Sequence, residues 1–467
     1  MNIQITGDPF IDTGRLAAQT IFKHLKLMGA RDDWLKIIDW AADKYQNKWN
    51  SSIDSISLNG PVTHNTKRKR ARKEAFEFFS KVFSGTNPYK GESLEGFCRG
   101  CGQRQRLFGA GRDMFPLSGS GAFLNFHHGY EGGLFLCAQC MASLFLVPFA
   151  VIQCGKNIAL LQTQTKALQE FWKRNTVEQN VKDLTVGKSE SILKSSCSNV
   201  QNAFFDLVND LITEWYSSQK SFEPQDLRLF YFTNFGANPE SEIFDLPAAT
   251  FSFLWMVQNP NYPQIKSGWH YFVRRHFRIR DANFDETTQS WQKSKGKNKG
   301  EMQNEDYKNN PNTLYQMLLS ERNILPRMYR SKDSKTLVPI EIAKAYCLEV
   351  RSMKKERIEV VLDLADRVCE LVRKENAPKL IYSIESARYV YQFRAGLLKL
   401  LKKNIKVGEP QPLFTTEDYI HKLLPDGEPW TDVRDLMLIR IYEKLHDFLQ
   451  GEREEISEDT IAVPVEE

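Results

Sequence analysis

The sequence predicts a chain in two dissimilar parts: a mixed α/β N-terminal part built around a cysteine-rich site, then an all-α C-terminal helical bundle. Three observations carry this reading. Two Cys-x-x-Cys pairs, Cys98-Arg-Gly-Cys101 and Cys137-Ala-Gln-Cys140, flank a glycine-rich stretch. A polar, lysine-bearing segment at residues 285–312 interrupts the apolar patterning. Beyond it, apolar residues recur at helical spacing almost to the end of the chain.

At 467 residues the chain is too long for one ordinary core. Hydrophobic residues make up 41% and aromatics 12%, ample for real cores. A net charge of +5 says little alone, and its distribution says more. The opening MNIQITGDPF has no basic region followed by an apolar run, so no signal peptide is expected. The most apolar stretch, Leu134 to Cys154, is interrupted by Gln139, Ser143 and Gln153 and contains Pro148. It reads as a buried helix rather than a membrane span. Eight cysteines, four of them in Cys-x-x-Cys pairs, point to metal in a reducing compartment rather than to a disulfide scaffold. A cytoplasmic protein with no membrane partner is expected.

Residues 11–49 read as two helices, one carrying Ala17, Ile21, Leu25 and Met28 after Asp12 or Thr13 as N-cap, the next carrying Trp34, Ile38, Ala41, Tyr45 and Trp49. The basic run Lys67, Arg68, Lys69, Arg70, Arg72 and Lys73 leads into an aromatic helix with Phe76, Phe79 and Phe83. Glycine-rich residues 85–135 suit loops and short strands, and a helical pattern resumes from Met141 to about Trp172. Leu227 to Phe232 reads as a strand. The bundle shows three stripes: Ile358 to Val372; Ile384, Ala387, Tyr391, Leu398 and Leu401; and Val433 to Phe448. Four regions follow: 1–284 for recognition, 285–312 as linker, 313–450 as bundle and 451–467 as acidic tail.

Two residues between cysteines let both thiolates reach one ion, and two such pairs complete the tetrahedron of a structural zinc. Gly102 suits the positive φ of a metal knuckle, and the second pair opens an apolar helix, as in treble-clef folds. One structural zinc on Cys98, Cys101, Cys137 and Cys140 is therefore expected. Four thiolates leave zinc no open position. The His-x-Glu and Pro-Cys-x-x-Cys of nucleobase deaminases are absent. His127 and His128 lie between the pairs, as in some HNH nucleases, but Met141 stands where such enzymes often carry histidine. No clear downstream Asn and His complete a catalytic set, so an HNH-like nuclease is the secondary reading. A structural zinc protein of another multisubunit assembly is a third.

The stretch between the pairs holds Arg104, Arg106, Arg112 and Asn125 among many glycines, which let a backbone approach a large ligand closely. Gln103 and Asn125 suit base edges, and the arginines suit phosphates. Arg274, Arg275, Arg278 and Arg280 interleave with aromatic residues, as in nucleic-acid grooves. With Lys67, Arg68, Lys69 and Arg70 they spread basic segments along the chain. Asp8 and Asp12 resemble a metal pair but read better as helix-capping residues.

The opening Thr6-Gly7-Asp8-Pro9-Phe10-Ile11-Asp12-Thr13-Gly14, the two cysteine pairs and the helical C-terminus together resemble the large subunit of the type I-B CRISPR Cascade. The recognisable motifs lie mainly within residues 1–155. The resemblance implies a non-catalytic subunit that reads the PAM in double-stranded target DNA and supports strand separation for pairing with guide CRISPR RNA. Its implied partners are the backbone and small subunits and a helicase-nuclease, or transposition proteins in a transposon-associated system. It also implies that the bundle doubles as a small subunit made from an internal start, for which Met302 is the best position. Lys354, Lys355, Arg357, Lys399, Lys402 and Lys403 would then contact the displaced strand.

Overall fold

A computed structural model describes residues 5–29, 32–47, 49, 56, 69–88, 94–111, 114, 124–125, 131–132, 134–218, 223–233, 240–294 and 300–453. The chain divides into two compact units, one made of residues 1–211 and 227–245, the other of 212–226 and 246–467. The division therefore does not fall at 284/285. Nor is the described part of 285–312 a linker. Strands β11 (Ala282–Asp285), β12 (Ser290–Lys293) and β13 (Gly300–Glu301) form an antiparallel sheet within the second unit. Polar composition concealed it, because short strands with one buried side, such as Trp291, need few apolar residues.

The first unit opens with helix α1 (Pro9–His24). Its N-cap is Asp8, earlier than expected, whose carboxylate accepts from the backbone N–H of Phe10 at 3.0 Å and Ile11 at 2.9 Å. Pro9 at the first helical position loses no hydrogen bond there. Asp12 instead ties down the preceding loop, accepting from the Thr6 N–H and hydroxyl, both at 2.8 Å, and from the Gly7 N–H at 3.0 Å. Neither aspartate is spare for a metal.

Helices α2 (Asp33–Asn47) and α3 (Ala71–Ser84) follow. Tyr45, Phe79, Phe145 and Phe149 form a buried aromatic cluster, with ring centroids 5.0 to 5.3 Å apart where they touch. Burial leaves the Tyr45 hydroxyl one outlet, donation to the Phe145 carbonyl at 2.6 Å. Met28 and Phe76, expected on apolar stripes, are 94% and 48% exposed.

Strands β1 (Leu94–Phe97), β2 (Arg104–Ala110) and β5 (Leu134–Cys137) form an antiparallel sheet in the order β1-β2-β5. The two-residue strands β3 (Leu124–Asn125) and β4 (Glu131–Gly132) pair separately. Helix α4 (Ala138–Leu146) begins where β5 ends. The run from Met141 to Trp172 is not helical throughout. After a 3-10 turn over Val147–Ala150 it forms β6 (Ile152–Cys154) and β7 (Asn157–Leu161) before α5 (Lys166–Trp172). The near-continuous apolar sequence hid this hairpin, since buried strands and buried helices share composition. A π-helical turn joins α5 to α6 (Gln179–Thr185). With β8 (Leu193–Lys194), β9 (Leu227–Thr233) and β10 (Glu240–Leu246) the hairpin builds a sheet in the order β10-β9-β7-β6-β8. The expected strand over 227–232 is thus present.

Helix α7 (Val200–Ser217) contains the 211/212 division. In the second unit Tyr216 stacks on Trp255 with centroids 3.9 Å apart, and its hydroxyl donates to the Trp255 carbonyl at 2.8 Å. Trp255 belongs to α8 (Ala248–Val257), followed by α9 (Pro263–Arg275), α10 (Asn304–Tyr307), α11 (Thr313–Leu319) and, after the β14 (Tyr329–Arg330)–β15 (Lys335–Thr336) hairpin, α12 (Ile340–Glu349). Phe253 of α8 lies edge-on to Trp269 of α9 at 5.2 Å and to Tyr346 of α12 at 5.4 Å. The helical part expected after residue 312 is therefore not a core of its own. A chain beginning at Met302 would lack α8 and α9 and uncover Tyr346, which is 1% exposed.

The remaining helices are α13 (Lys355–Lys374), α14 (Lys379–Glu385), α15 (Val390–Lys406), α16 (Thr416–Asp418) and α17 (Trp430–Arg453). The stripes on α13 and α17 are buried as expected. The middle stripe is not one helix: the chain breaks between α14 and α15, Tyr391 and Leu398 are exposed, and Phe393, Leu397 and Leu400 fill the core. Among the described residues, no helix is long and apolar enough to cross a membrane.

Candidate metal centre and basic surfaces

The cysteine site is assembled from three pieces of local structure. Cys98 to Gly102 form a tight turn between β1 and β2, closed by the Gly102 N–H donating to the Cys98 carbonyl at 2.8 Å and the Cys98 N–H to the Gln103 carbonyl at 2.9 Å. Gly102 has φ +71°, as expected of a knuckle. Cys137 closes β5 and caps α4, and Cys140 lies in that helix's first turn. Pairing of β2 with β5 sets Leu107 opposite Cys137, bringing the two cysteine pairs together.

The four Sγ atoms lie within 4.8 Å of one another, with Cys101 and Cys137 3.9 Å apart. These separations are too long for disulfides. A tetrahedral ion bound to thiolates at ~2.3 Å needs edges of ~3.8 Å, so the set fits one metal ion. Cys98, Cys137 and Cys140 are buried. The Cys137 N–H donates to the Cys98 sulfur at 3.2 Å. Hydrogen bonds from the Cys137 and Cys140 side chains hold Cys98 far toward its thiolate form. Hydrogen bonding with Cys137 and Cys98, then burial, pushes Cys140 the other way. Metal binding displaces thiol protons from such a set.

Helix α1 supports the site, a role not evident from the cysteines alone. The Arg15 guanidinium is 3.6 Å from the Cys140 sulfur. A Cβ on Gly100 would come 2.2 Å from Ile11 Cδ1, so the glycine makes room for Ile11 beside the knuckle. A Cβ on Gly14 would come 1.9 Å from the Ser143 carbonyl oxygen, so α1 lies directly on α4 there. The opening motif thus encodes a helix cap and a close helix–helix contact behind the cysteine cluster.

The expected DNA-contacting residues are placed unevenly. Arg112, Lys67, Arg68, His127 and His128 lie outside the described residues. Asn125 stands opposite Glu131 in the β3–β4 pair. Arg104 is exposed at the start of β2, and the Gln103 amide oxygen accepts from Gln105 at 2.9 Å. Arg106 is bound to Glu95 and to the Gly85 carbonyl, both at 3.2 Å. Lys69 and Arg70 are exposed just before α3, while Arg72 makes a two-pronged pair with Asp39 at 2.5 and 2.6 Å.

In the second unit, Arg275 pairs with Glu286, and Arg278 donates to the Thr313 hydroxyl at 2.9 Å. Arg280 is exposed. Arg357, read as a backbone contact, is 5% exposed and is spent on the Lys422 carbonyl at 2.7 Å and on Glu428. It is an internal ion rather than a surface one. Lys403 pairs with Glu375, Lys355 lies 3.8 Å from Glu359, and Lys354 and Lys402 are exposed. Sequence reading missed Arg15, whose place one residue after the opening motif was a signal. It also missed Lys266 and His270, which share a helical face with Arg274 by their spacing of four.

Comparison with protein-family models, with curated proteins and with solved structures gives no match to this chain.

Proposed function

We propose that this chain is a non-catalytic, zinc-stapled nucleic-acid-binding subunit, acting as the PAM-reading large subunit of a type I-B CRISPR surveillance complex in the cytoplasm. The observation that carries it is the packing of the opening motif on the cysteine cluster. The two features on which the resemblance rests are one physical object, joined at Gly14–Ser143, Ile11–Gly100 and Arg15–Cys140. A knuckle between two strands, a third strand and a helix whose first turn supplies the second cysteine pair match the parts of a treble clef around one structural zinc. Closed coordination by four cysteines suits scaffolding rather than hydrolysis. The stretch between the pairs then serves as the recognition loop, with Asn125 and Gln103 as base readers and Arg104 and Arg112 as phosphate anchors. Its partners are guide RNA, duplex target, the other Cascade subunits and a helicase-nuclease or transposition proteins.

The test is co-purification of a guide RNA of uniform length, followed by binding to duplexes that vary beside the target. Asn125→Ala is expected to flatten the preference among those duplexes by about 1–3 kcal/mol. Recovery of no RNA, or metal-dependent cleavage by the isolated chain, overturns the proposal.

A further inference from the structure

We propose that the groove along α9 in the second unit holds the phosphate backbone of a nucleic-acid strand, with Lys266 and Arg274 as its cationic anchors. This rests on the nucleic-acid reading above and gives part of that binding a place. The groove has a volume of 440 Å³, and Lys266, Ser267, His270, Tyr271, Arg274 and Gln289 line it with no carboxylate among the lining side chains. Lys266, His270 and Arg274 recur every fourth residue and so share one face of the helix. Their eight-residue spacing spans ~12 Å of helix, about the axial length of three to four phosphates of one duplex strand.

The cations are held in position before any ligand arrives. Trp269, Phe272 and Val273 bury the opposite face of α9. Gly268 lets the helix sit against Pro339, since a Cβ there would come 2.6 Å from the proline ring. The Arg274 guanidinium donates to the Gln289 carbonyl at 3.2 Å, and the Arg274 carbonyl accepts from Trp291 Nε1 at 2.8 Å. Partial burial, then the charges of Lys266 and Arg274, lower the His270 pKa, which agrees with all three groups sharing one region.

The remaining surface of this unit sharpens the choice. Arg275, Arg330 and Lys335 all converge on Glu286, so they are already paired. A larger groove of 620 Å³ beside α13 is lined by Glu356, Glu359, Asp363 and Asp418 and repels a polyanion. The α9 groove therefore presents cations to a strand, whereas the α13 groove does not.

The experiment measures binding of the full-length chain, without guide RNA, to a labelled duplex and a labelled single strand between about 50 and 200 mM salt. Wild type is compared with the double variant Lys266→Ala/Arg274→Ala and with the charge-conserving Lys266→Arg/Arg274→Lys. Losing two phosphate contacts lowers the slope of log affinity against log salt by about 1.8 on duplex and 1.4 on single strand. Across that range wild type then loses roughly 12-fold more duplex affinity than the alanine variant. The conservative variant is expected to keep the wild-type slope, which separates charge from folding. The larger of the two slope changes shows which form of nucleic acid occupies the groove. An unchanged slope in the alanine variant overturns the groove but leaves the nucleic-acid reading standing. A wild-type chain that binds neither probe, or binds only an acidic peptide, overturns both.

Discussion

Replacing Gly14 with alanine places a methyl carbon 1.9 Å from the Ser143 carbonyl oxygen, 2.5 Å from the carbonyl carbon and 3.1 Å from the Cα. All three atoms are backbone of α4, so no rotamer relieves the clash, and Ser143→Gly would not either. Carbon and oxygen in close contact sit ~3.3 Å apart, so α1 must retreat by roughly 1.4 Å. That movement withdraws Ile11 from the space beside Gly100 and Arg15 from the Cys140 sulfur. Overpacking costs about 1–3 kcal/mol, and a backbone clash belongs at the upper end. For a unit of this size, ~3 kcal/mol lowers the melting temperature by roughly 6–12 °C. The assay follows thermal unfolding and, separately, zinc release to a chelator. Both should worsen in Gly14→Ala. Gly7→Ala is the control: its φ of +87° makes alanine strained, but no atom lies within 4 Å of the added carbon. It should cost about 1–2 kcal/mol and leave zinc release unchanged. If Gly14→Ala melts like wild type and holds zinc as firmly, α1 does not support the cysteine cluster as described.

The other predictions concern metal, pH and a buried cap. Purified protein should carry about one zinc, and Cys98→Ser or Cys137→Ser should misfold, because metal-binding energy is folding energy here; a well-folded wild type free of zinc refutes this. Burial would raise the Glu286 pKa, but hydrogen bonds from Lys335 and Arg275 and the charges of Arg275 and Arg330 hold it at about 2, below its ordinary 4.5. The stabilisation is therefore present above pH 4.5 and lost as pH falls toward 2, so Glu286→Gln should flatten the acid limb of a plot of melting temperature against pH. Asn312 is fully buried, donates to the Val273 carbonyl at 2.9 Å, and caps α11 through the N–H groups of Leu314 and Tyr315. Asn312→Ala should cost about 2–3 kcal/mol, the sum of a lost cap and a stranded carbonyl, as read by urea unfolding.

The metal site was legible in the sequence because its ligands come in two short-range pairs whose spacing is itself the signal. Its setting was legible only in part. Cys98-x-x-Cys101 announced a knuckle, but nothing local announced that Ile11, Gly14 and Arg15, more than eighty residues earlier, would pack behind it. The mixed character of the N-terminal part and the helical character of the C-terminal part also followed from periodicity. The β6–β7 hairpin did not, because uniformly apolar sequence carries no period. The basic residues were the least legible. Arg72, Arg106, Arg275 and Arg357 have the same composition signature as exposed phosphate ligands, yet acidic side chains or carbonyls distant in sequence claim them. Whether an arginine is committed is a tertiary fact.

The path of the chain between the two units has a consequence for making fragments. The polypeptide leaves the first unit within α7, contributes 212–226 to the second, and returns for β9 and most of β10 before leaving for good. A fragment ending at residue 211 strips β9 from the exposed side of β7. One ending at 245 keeps that sheet but carries away Trp215 and Tyr216, which pack on α8. No single scission point yields both halves whole, so a ribosome must pass residue 245 before the cysteine-bearing unit can finish its sheet.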